Sequence, residues 1–218
     1  MKQLDELICL DEPGWLLVQQ WLAEATNHVE VLPPPNDACR ERALLDTQVT
    51  TRSPMGAVIY ESGGILIDHG WLRVLGSGHP RLTRSLPMWN FTRTVTEAGQ
   101  APPFLLVADD AVGGFFAIDG GGLGLERGKV CYLAPDTLEW ECMGMSYSEF
   151  LVWCFEGDLA EYYESLRWPG WDEEVKVLQG DEAFCIYPFL WCDGPPIAER
   201  MRSAIPIAET YAFQQQNL

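Results

Sequence analysis

The sequence predicts an α+β fold: N-terminal helices, a central and mostly antiparallel twisted sheet, and C-terminal helices packed on that sheet. Three observations carry this. Apolar residues recur three and four apart near the N-terminus and again after residue 146. Short β-rich runs broken by glycine fill the middle. The gaps between those runs are too short for β-α-β crossovers, which need a dozen or more residues, so neighbouring strands should be antiparallel. A chain of 218 residues, 47% hydrophobic and holding 9 Trp, 7 Tyr and 9 Phe, can bury a sizeable core as one domain over 1–218.

Asp11-Glu12-Pro13 opens a first helix, whose apolar face follows as Trp15, Val18, Leu22 and Ala25. Pro33-Pro34-Pro35 is a stiff extended joint that closes an N-terminal helical arm over 1–35. Asn36 or Asp37 then caps a helix running through Leu44 and Leu45. Strands are expected at Ala57–Tyr60, Ile65–Ile67 and Leu72–Leu75, separated by Gly63-Gly64 and Gly70. Gly76 through Pro80 and Leu86-Pro87 read as loop with at most a short helix, and Gly99 through Pro103 closes that segment.

Four more strands are expected at Phe104–Val107, Gly114–Ile118, Val130–Leu133 and Leu138–Trp140. They complete a core over 36–156. Ser146 and Glu149 form a capping box for a helix carrying Phe150, Leu151, Cys154 and Phe155. Helices from Asp158 and Asp172 make 157–218 a C-terminal helical extension. Low complexity is confined to the Pro triplet and Gln214-Gln215-Gln216.

The formal charge of −18 is unevenly spread, with net −4 over residues 1–100 and net −14 over 101–218. Residues 52–96 reverse the sign to net +3 through Arg52, Arg73, Arg81, Arg84 and Arg93. A dipolar molecule with a basic middle is expected. The acid excess argues against nucleic-acid and anionic-membrane partners, because like charges would face each other. The acidic N-terminus does not resemble a signal peptide, and no uncharged run approaches the ~20 apolar residues of a membrane span. Seven scattered cysteines without C-x-x-C read as reduced thiols, so a cytoplasmic protein is expected. Asn90-Phe91-Thr92 fits the glycosylation pattern by chance.

No motif names a reaction. Asp119-Gly120-Gly121-Gly122-Leu123-Gly124 contains no G-x-G-x-x-G and sits between strands, so a flexible hairpin is the expectation. Asp109-Asp110 reads as turn acids before it reads as a catalytic pair. His28, His69 and His79 lack metal-site spacing, and no metal or other cofactor is expected. No catalytic residue is assigned, and the balance leans away from an enzyme. The candidate binding residues are Trp168 and Trp171, which flank a Pro-Gly turn, and Asp68, His69, Trp71, His79 and Arg81 in the basic segment.

Leu105–Asp110, Gly113–Ile118, Val130–Glu141 and Ser146–Leu151 carry a resemblance that covers nearly the whole chain. With Val49–Pro54, Asp68–Arg73 and Arg167–Trp171, they resemble the bacterial family known as domain of unknown function 2625. That family supplies no catalytic residue to carry over. The order of strands, glycine turn and Ser-x-x-Glu-Phe-Leu helix over about residues 37–156 is also similar to the SMI1/KNR4 (SUKH) superfamily, with Ser62-Gly63-Gly64 standing where that group has Asn-Gly-Gly. This second likeness implies a SUKH-like core and a non-enzymatic protein-binding module, a toxin-neutralising immunity-type protein being the specific case.

A basic toxin is the partner such a surface would steer, and a homodimer would cover the edge of an aromatic-rich sheet. The alternative is an enzyme or small-ligand sensor with a polar site around His69, His79 and Arg81, using an acid from Asp68 or Asp109.

Overall fold

The computed structural model describes residues 1–95 and 101–217. In chain order the elements are α1 (Leu4–Leu7), α2 (Gly14–Glu24), β1 (Val29–Leu32), α3 (Asp37–Thr47), α4 (Pro54–Glu61), β2 (Gly64–Ile67), β3 (Leu72–Leu75), α5 (Leu86–Asn90), β4 (Phe104–Asp110) and β5 (Phe115–Asp119). Then come β6 (Val130–Leu133), β7 (Trp140–Met145), α6 (Tyr147–Glu156), α7 (Leu159–Tyr162), α8 (Trp171–Val177), β8 (Glu182–Tyr187), β9 (Met201–Pro206) and α9 (Ile207–Gln215). The fold is α+β.

Strands β1 to β7 form one antiparallel sheet in sequence order, so the expected meander is present. The register divides it into two faces, because directly opposed residues share a face and neighbours along a strand do not. Leu66, Arg73, Asp109, Phe115 and Leu133 share one face. There Phe115 meets Trp89 of α5 and Tyr211 of α9. Val74, Ala108, Phe116 and Tyr132 share the other, where Phe116 meets Phe150 and Trp153 of α6. Covered on both sides, β2, β3 and β6 are buried along their whole length.

The caps follow the sequence. Asn36 accepts from the Cys39 N–H, and Ser146 and Glu149 form the capping box of α6. Asp158 caps α7, which stops at Tyr162.

Four expectations about the elements need correction. Ala57–Tyr60 is helix: Ser53 caps it, Pro54 occupies its first turn, and Gly56 to Ile59 are all buried. A short apolar run buried all round cannot be assigned by period. The strand expected at Leu138 begins at Trp140, because Leu138 turns at φ 58°. The C-terminal extension is not wholly helical, since β8 and β9 form a separate antiparallel hairpin. Likewise residues 1–35 supply β1, an edge strand of the main sheet, as well as α1 and α2. The Gly99–Pro103 punctuation lies partly outside the described residues.

Part of the expected basic middle is buried charge, while Arg52 and Arg81 remain exposed. Arg73 and Arg84 are both buried and converge on the buried Asp109, with Arg73 Nε 2.7 Å from Oδ1 and Arg84 Nη1 2.5 Å from Oδ2. Arg73 Nε is close to the carboxylate without the alignment of a hydrogen bond, and its Nη groups donate to the Glu182 and Asp110 carbonyls. Arg84 reaches Asp181 and the Gly180 carbonyl. Asp109 is therefore the internal tie between sheet and C-terminal hairpin, not a turn acid. Asp110 is the turn acid. It points to the opposite face, where it accepts from the Val112 and Gly114 N–H groups and from the Tyr132 hydroxyl.

Asn90 is fully buried, exchanging hydrogen bonds with the Leu106 backbone, so the glycosylation pattern is closed to modification. The Gly120–Gly122 turn is organised by Asp119, whose carboxylate accepts from Gly121, Leu123 and Leu125.

Candidate functional site

The seven residues singled out from sequence fall into two separate places. Asp68, Trp71 and Trp171 come together around the guanidinium of Arg167, and Trp168 packs on Trp71. That guanidinium is 2.6 Å from Asp68 Oδ2 and lies 3.9 Å from the Trp171 ring and 4.9 Å from Trp71. Trp71 and Trp168 are buried, and Trp168 donates to Glu174 while Arg202 covers its ring. This indole cluster is packing, with its cation supplied by the chain itself. Trp71 and Trp168 are not exposed anchors, and Trp171 is half-buried.

His69 lies at its margin in a left-handed turn, φ 62°, with its ring 4.2 Å from that of His28. Partial burial, then the neighbouring His28, lowers its pKa.

His79 and Arg81 sit at the other end of β1 and β2. There Arg81 makes a bidentate pair with Glu30, which lowers the Glu30 pKa, and the Arg81 N–H donates to His79 Nδ1. The four residues of β2 separate His79, which lies beside Gly63, from His69, about 13 Å of extended chain. Glu30 stands between the two groups, paired with Arg81 and within electrostatic reach of both His28 and His79, and among the described residues no hydrogen bond joins His69 to His79 or Arg81.

A different place has the form of a binding site: a cavity of about 270 Å³ between the C-terminal hairpin and α9. Helical spacing sets its first wall, since Thr210, Phe213 and Gln214 lie three and four apart and share one face of α9. Strand β8 gives Phe184, Cys185 and Ile186, and the loop after it gives Phe189, Leu190 and Trp191. Phe189 stacks on Trp191 with centroids 4.8 Å apart and planes 6° from parallel, and Phe213 lies 5.0 Å from Phe189.

Arg200 holds this loop. Its guanidinium donates to the backbone carbonyls of Pro188, Phe189, Cys192 and Pro195. On the opposite wall, Gln214 Nε2 donates to the Gly113 carbonyl at 2.8 Å, fastening α9 to the β4–β5 turn. Gly113 has φ 87°, and a Cβ there would come within 2.6 Å of Thr210 Cγ2.

Two buried polar atoms of lining residues, Thr210 Oγ1 and Gln214 Oε1, have no partner in the protein. Thr210 is 9% exposed and Gln214 2%. Both oxygens are themselves closed off by burial, so the surface that the cavity offers a guest is mainly apolar and aromatic. Burial raises the pKa of Cys185, the thiol in the wall, and so keeps it protonated and a poor nucleophile. Among the described residues no cluster of three or more His, Cys, Asp or Glu could hold a metal, and no helix is long and apolar enough to cross a membrane.

None of the seven sequence candidates lines this pocket. Its signals were the aromatic run Phe189-Leu190-Trp191 and Gln214, which looked like part of a polar tract.

A family described as "Protein of unknown function DUF2625" matches residues 4–210. The chain is 45% identical over 221 residues to "Putative uncharacterized protein YbfG" of Escherichia coli (strain K12), covering 99% of this chain and 97% of that protein. It is 42% identical over 220 residues to an "Uncharacterized protein" of Haemophilus influenzae, covering 100% of this chain and 96% of that one. No solved structure matches.

Proposed function

Because the chain belongs to the DUF2625 family, whose description assigns no activity, its role has to be read from its own surface, and we propose that it is a non-enzymatic binding module working through the C-terminal pocket. The observation that carries this is a mostly apolar cavity whose walls bring the rings of Phe189, Trp191 and Phe213 within 6 Å of one another. Such a lining is what buries a guest. The Arg200 clamp and the Gln214–Gly113 bond support both walls from backbone, which lowers the entropy cost of capture.

The test is backbone-amide NMR titration with 1-octanol and with indole, on the native chain and on Cys185→Trp, which puts a bulky ring into the cavity. Shifts centred on Thr210, Phe213 and Gln214 that vanish in the variant are expected. Shifts that persist in the variant, or that centre elsewhere, would overturn the reading.

A second reading concerns a macromolecular partner. The acids Glu141, Glu156, Asp158, Glu161 and Glu164 are exposed around β7, α6 and α7. Beside the pocket, Tyr187 is 56% and Phe213 39% exposed. On this reading the partner is a basic protein, and the SUKH-type resemblance over 37–156 makes a toxin-neutralising immunity-type role its specific form. Charge then sets the rate of encounter and the aromatic rim sets residence time. With a basic partner in hand, the association rate should fall at least about tenfold between 20 mM and 500 mM salt. A salt-independent rate would remove the electrostatic part of this reading.

A further inference from the structure

We infer that Cys131 and Cys142 are a modification site, two thiols that hydrogen peroxide joins into a reversible disulfide across β6 and β7. This goes beyond the pocket reading and does not rest on it, since neither thiol lines the cavity.

Strand register comes first. Cys131 and Cys142 are directly opposed in the antiparallel ladder of β6 and β7, so their side chains share one face of the sheet. Opposed residues in such a ladder have Cα atoms about 4.5–5.5 Å apart, inside the roughly 4.4–6.8 Å that a disulfide spans. Their Cβ atoms stand about 4.5–5.5 Å apart against about 3.5–4.5 Å in a disulfide, so the strands must close by roughly 1 Å. The ladder is interrupted at this point. From Val130 to Cys131 the partner on β7 jumps from Met145 to Cys142, which leaves Met143 and Gly144 as a bulge, with Gly144 at φ 68°. A bulge bends its strand, and β7 is the last strand of the sheet, so a small shift of β7 disturbs little else. Cys185, also on a strand, faces Ser203 and has no opposed thiol.

Chemical asymmetry comes second. Cys131 is buried and Cys142 is exposed. Burial, then the adjoining Cys142 thiol, push the Cys131 pKa up to about 12, so Cys131 holds its proton. The part of that shift due to charge on Cys142 disappears once Cys142 is an uncharged sulfenic acid. Cys142 meets solvent, and its sulfur accepts from the Gly144 N–H at 3.4 Å. Cys142 is therefore the thiol that an oxidant reaches, and Cys131 the one that resolves it.

The reaction balances. Cys142 Sγ attacks one peroxide oxygen, the O–O bond breaks, and the departing hydroxide leaves as water with the Cys142 proton. Cys131 Sγ then attacks Cys142 Sγ of the sulfenic acid, the S–O bond breaks, and the second hydroxide leaves as water with the Cys131 proton. The two thiols lose two electrons and two protons, and one peroxide becomes two waters.

The full chain is treated with hydrogen peroxide, and each cysteine is read by alkylation and peptide mass mapping, with and without dithiothreitol. The expected product is an intramolecular Cys131–Cys142 link that dithiothreitol reverses, formed at least about fivefold faster than oxidation of Cys192, the other exposed cysteine. In Cys131→Ala the resolving thiol is gone, so dimedone should trap at least about tenfold more sulfenic acid at Cys142 than in the native chain. Cys142→Ser, a change at an exposed position, should leave Cys131 a thiol under the same treatment. Thermal unfolding confirms folded variants, and the native chain with Cys142→Ser carries the test alone if the buried variant does not fold. Sulfenic or sulfinic acid at Cys142 without the link in the native chain, a link from Cys142 to any other cysteine, or an unreacted Cys142 would each overturn the inference.

Discussion

Replacing Asp109 by Asn removes one negative charge from a fully buried site. Asp109 is 0% exposed and its two oxygens meet Arg73 and Arg84, themselves 1% and 6% exposed. Asn keeps the volume and one acceptor, so the change isolates charge. Arg84 retains Asp181, but Arg73 is left with the carbonyls of Glu182 and Asp110 and no other carboxylate in an ion pair. Burial already lowers the Arg73 pKa, against the pull of Asp109. Breaking a buried pair from one side costs about 3–5 kcal/mol. In a chain of this size each kcal/mol moves Tm by about 2–4 °C, so Asp109→Asn should unfold roughly 6–20 °C lower. Urea unfolding followed by circular dichroism should show a lowered midpoint with an unchanged slope. The triple variant Arg73→Met, Asp109→Leu, Arg84→Met should recover at least half of the loss, because an apolar cluster has no charge to desolvate. A loss below about 1 kcal/mol for Asp109→Asn, or a triple variant worse than the single, would refute the reasoning.

The neighbouring Asp110 should behave oppositely. Burial raises its pKa against the backbone N–H groups and Tyr132, so the charged form opposes folding at neutral pH. Asp110→Asn keeps the acceptor for Val112 and Gly114, and its stability at pH 7 should fall within about 1 kcal/mol of native or above it, by the same urea assay. Asp181 has the other sign: burial raises its pKa, but Thr83 and Arg84 donate to it and the net shift is downward. Its contribution is therefore present above the unfolded value of about 3.9 and is lost as pH falls through the folded value. Asp181→Asn should be less stable than native by about 1 kcal/mol at pH 6, with the gap closing below about pH 3 in a urea series.

The sequence made some elements legible because the signal was local. Asn36, Ser146 with Glu149, and Asp158 cap helices through atoms three residues away. The antiparallel meander followed from gap lengths. What stayed hidden depended on partners far along the chain. Arg73 and Arg84 meet Asp109, so two of the five arginines behind the expected basic middle are internal. Gln214 bonds to Gly113 across 101 residues, which no polar tract announces. Around the Pro169-Gly170 turn the sequence leaves packing of Trp168 and Trp171, the leading reading, beside an exposed anchor, and only the contacts with Trp71 decide that Trp168 is buried while Trp171 stays half-buried. The seven residues chosen for chemistry are engaged by their neighbours or placed apart, while the cavity is walled by residues chosen for none.

Both walls of that cavity are attached through main-chain oxygens: four carbonyls at the Arg200 guanidinium and one at the Gln214 amide. Carbonyls are the same whatever side chain their residue carries. Relatives that keep Arg200 and Gln214 can therefore exchange Phe189, Leu190 or Trp191 for other groups and still present a recess of the same frame. The attachment separates scaffold from selectivity, so this corner of the molecule can change its guest without relearning how to fold.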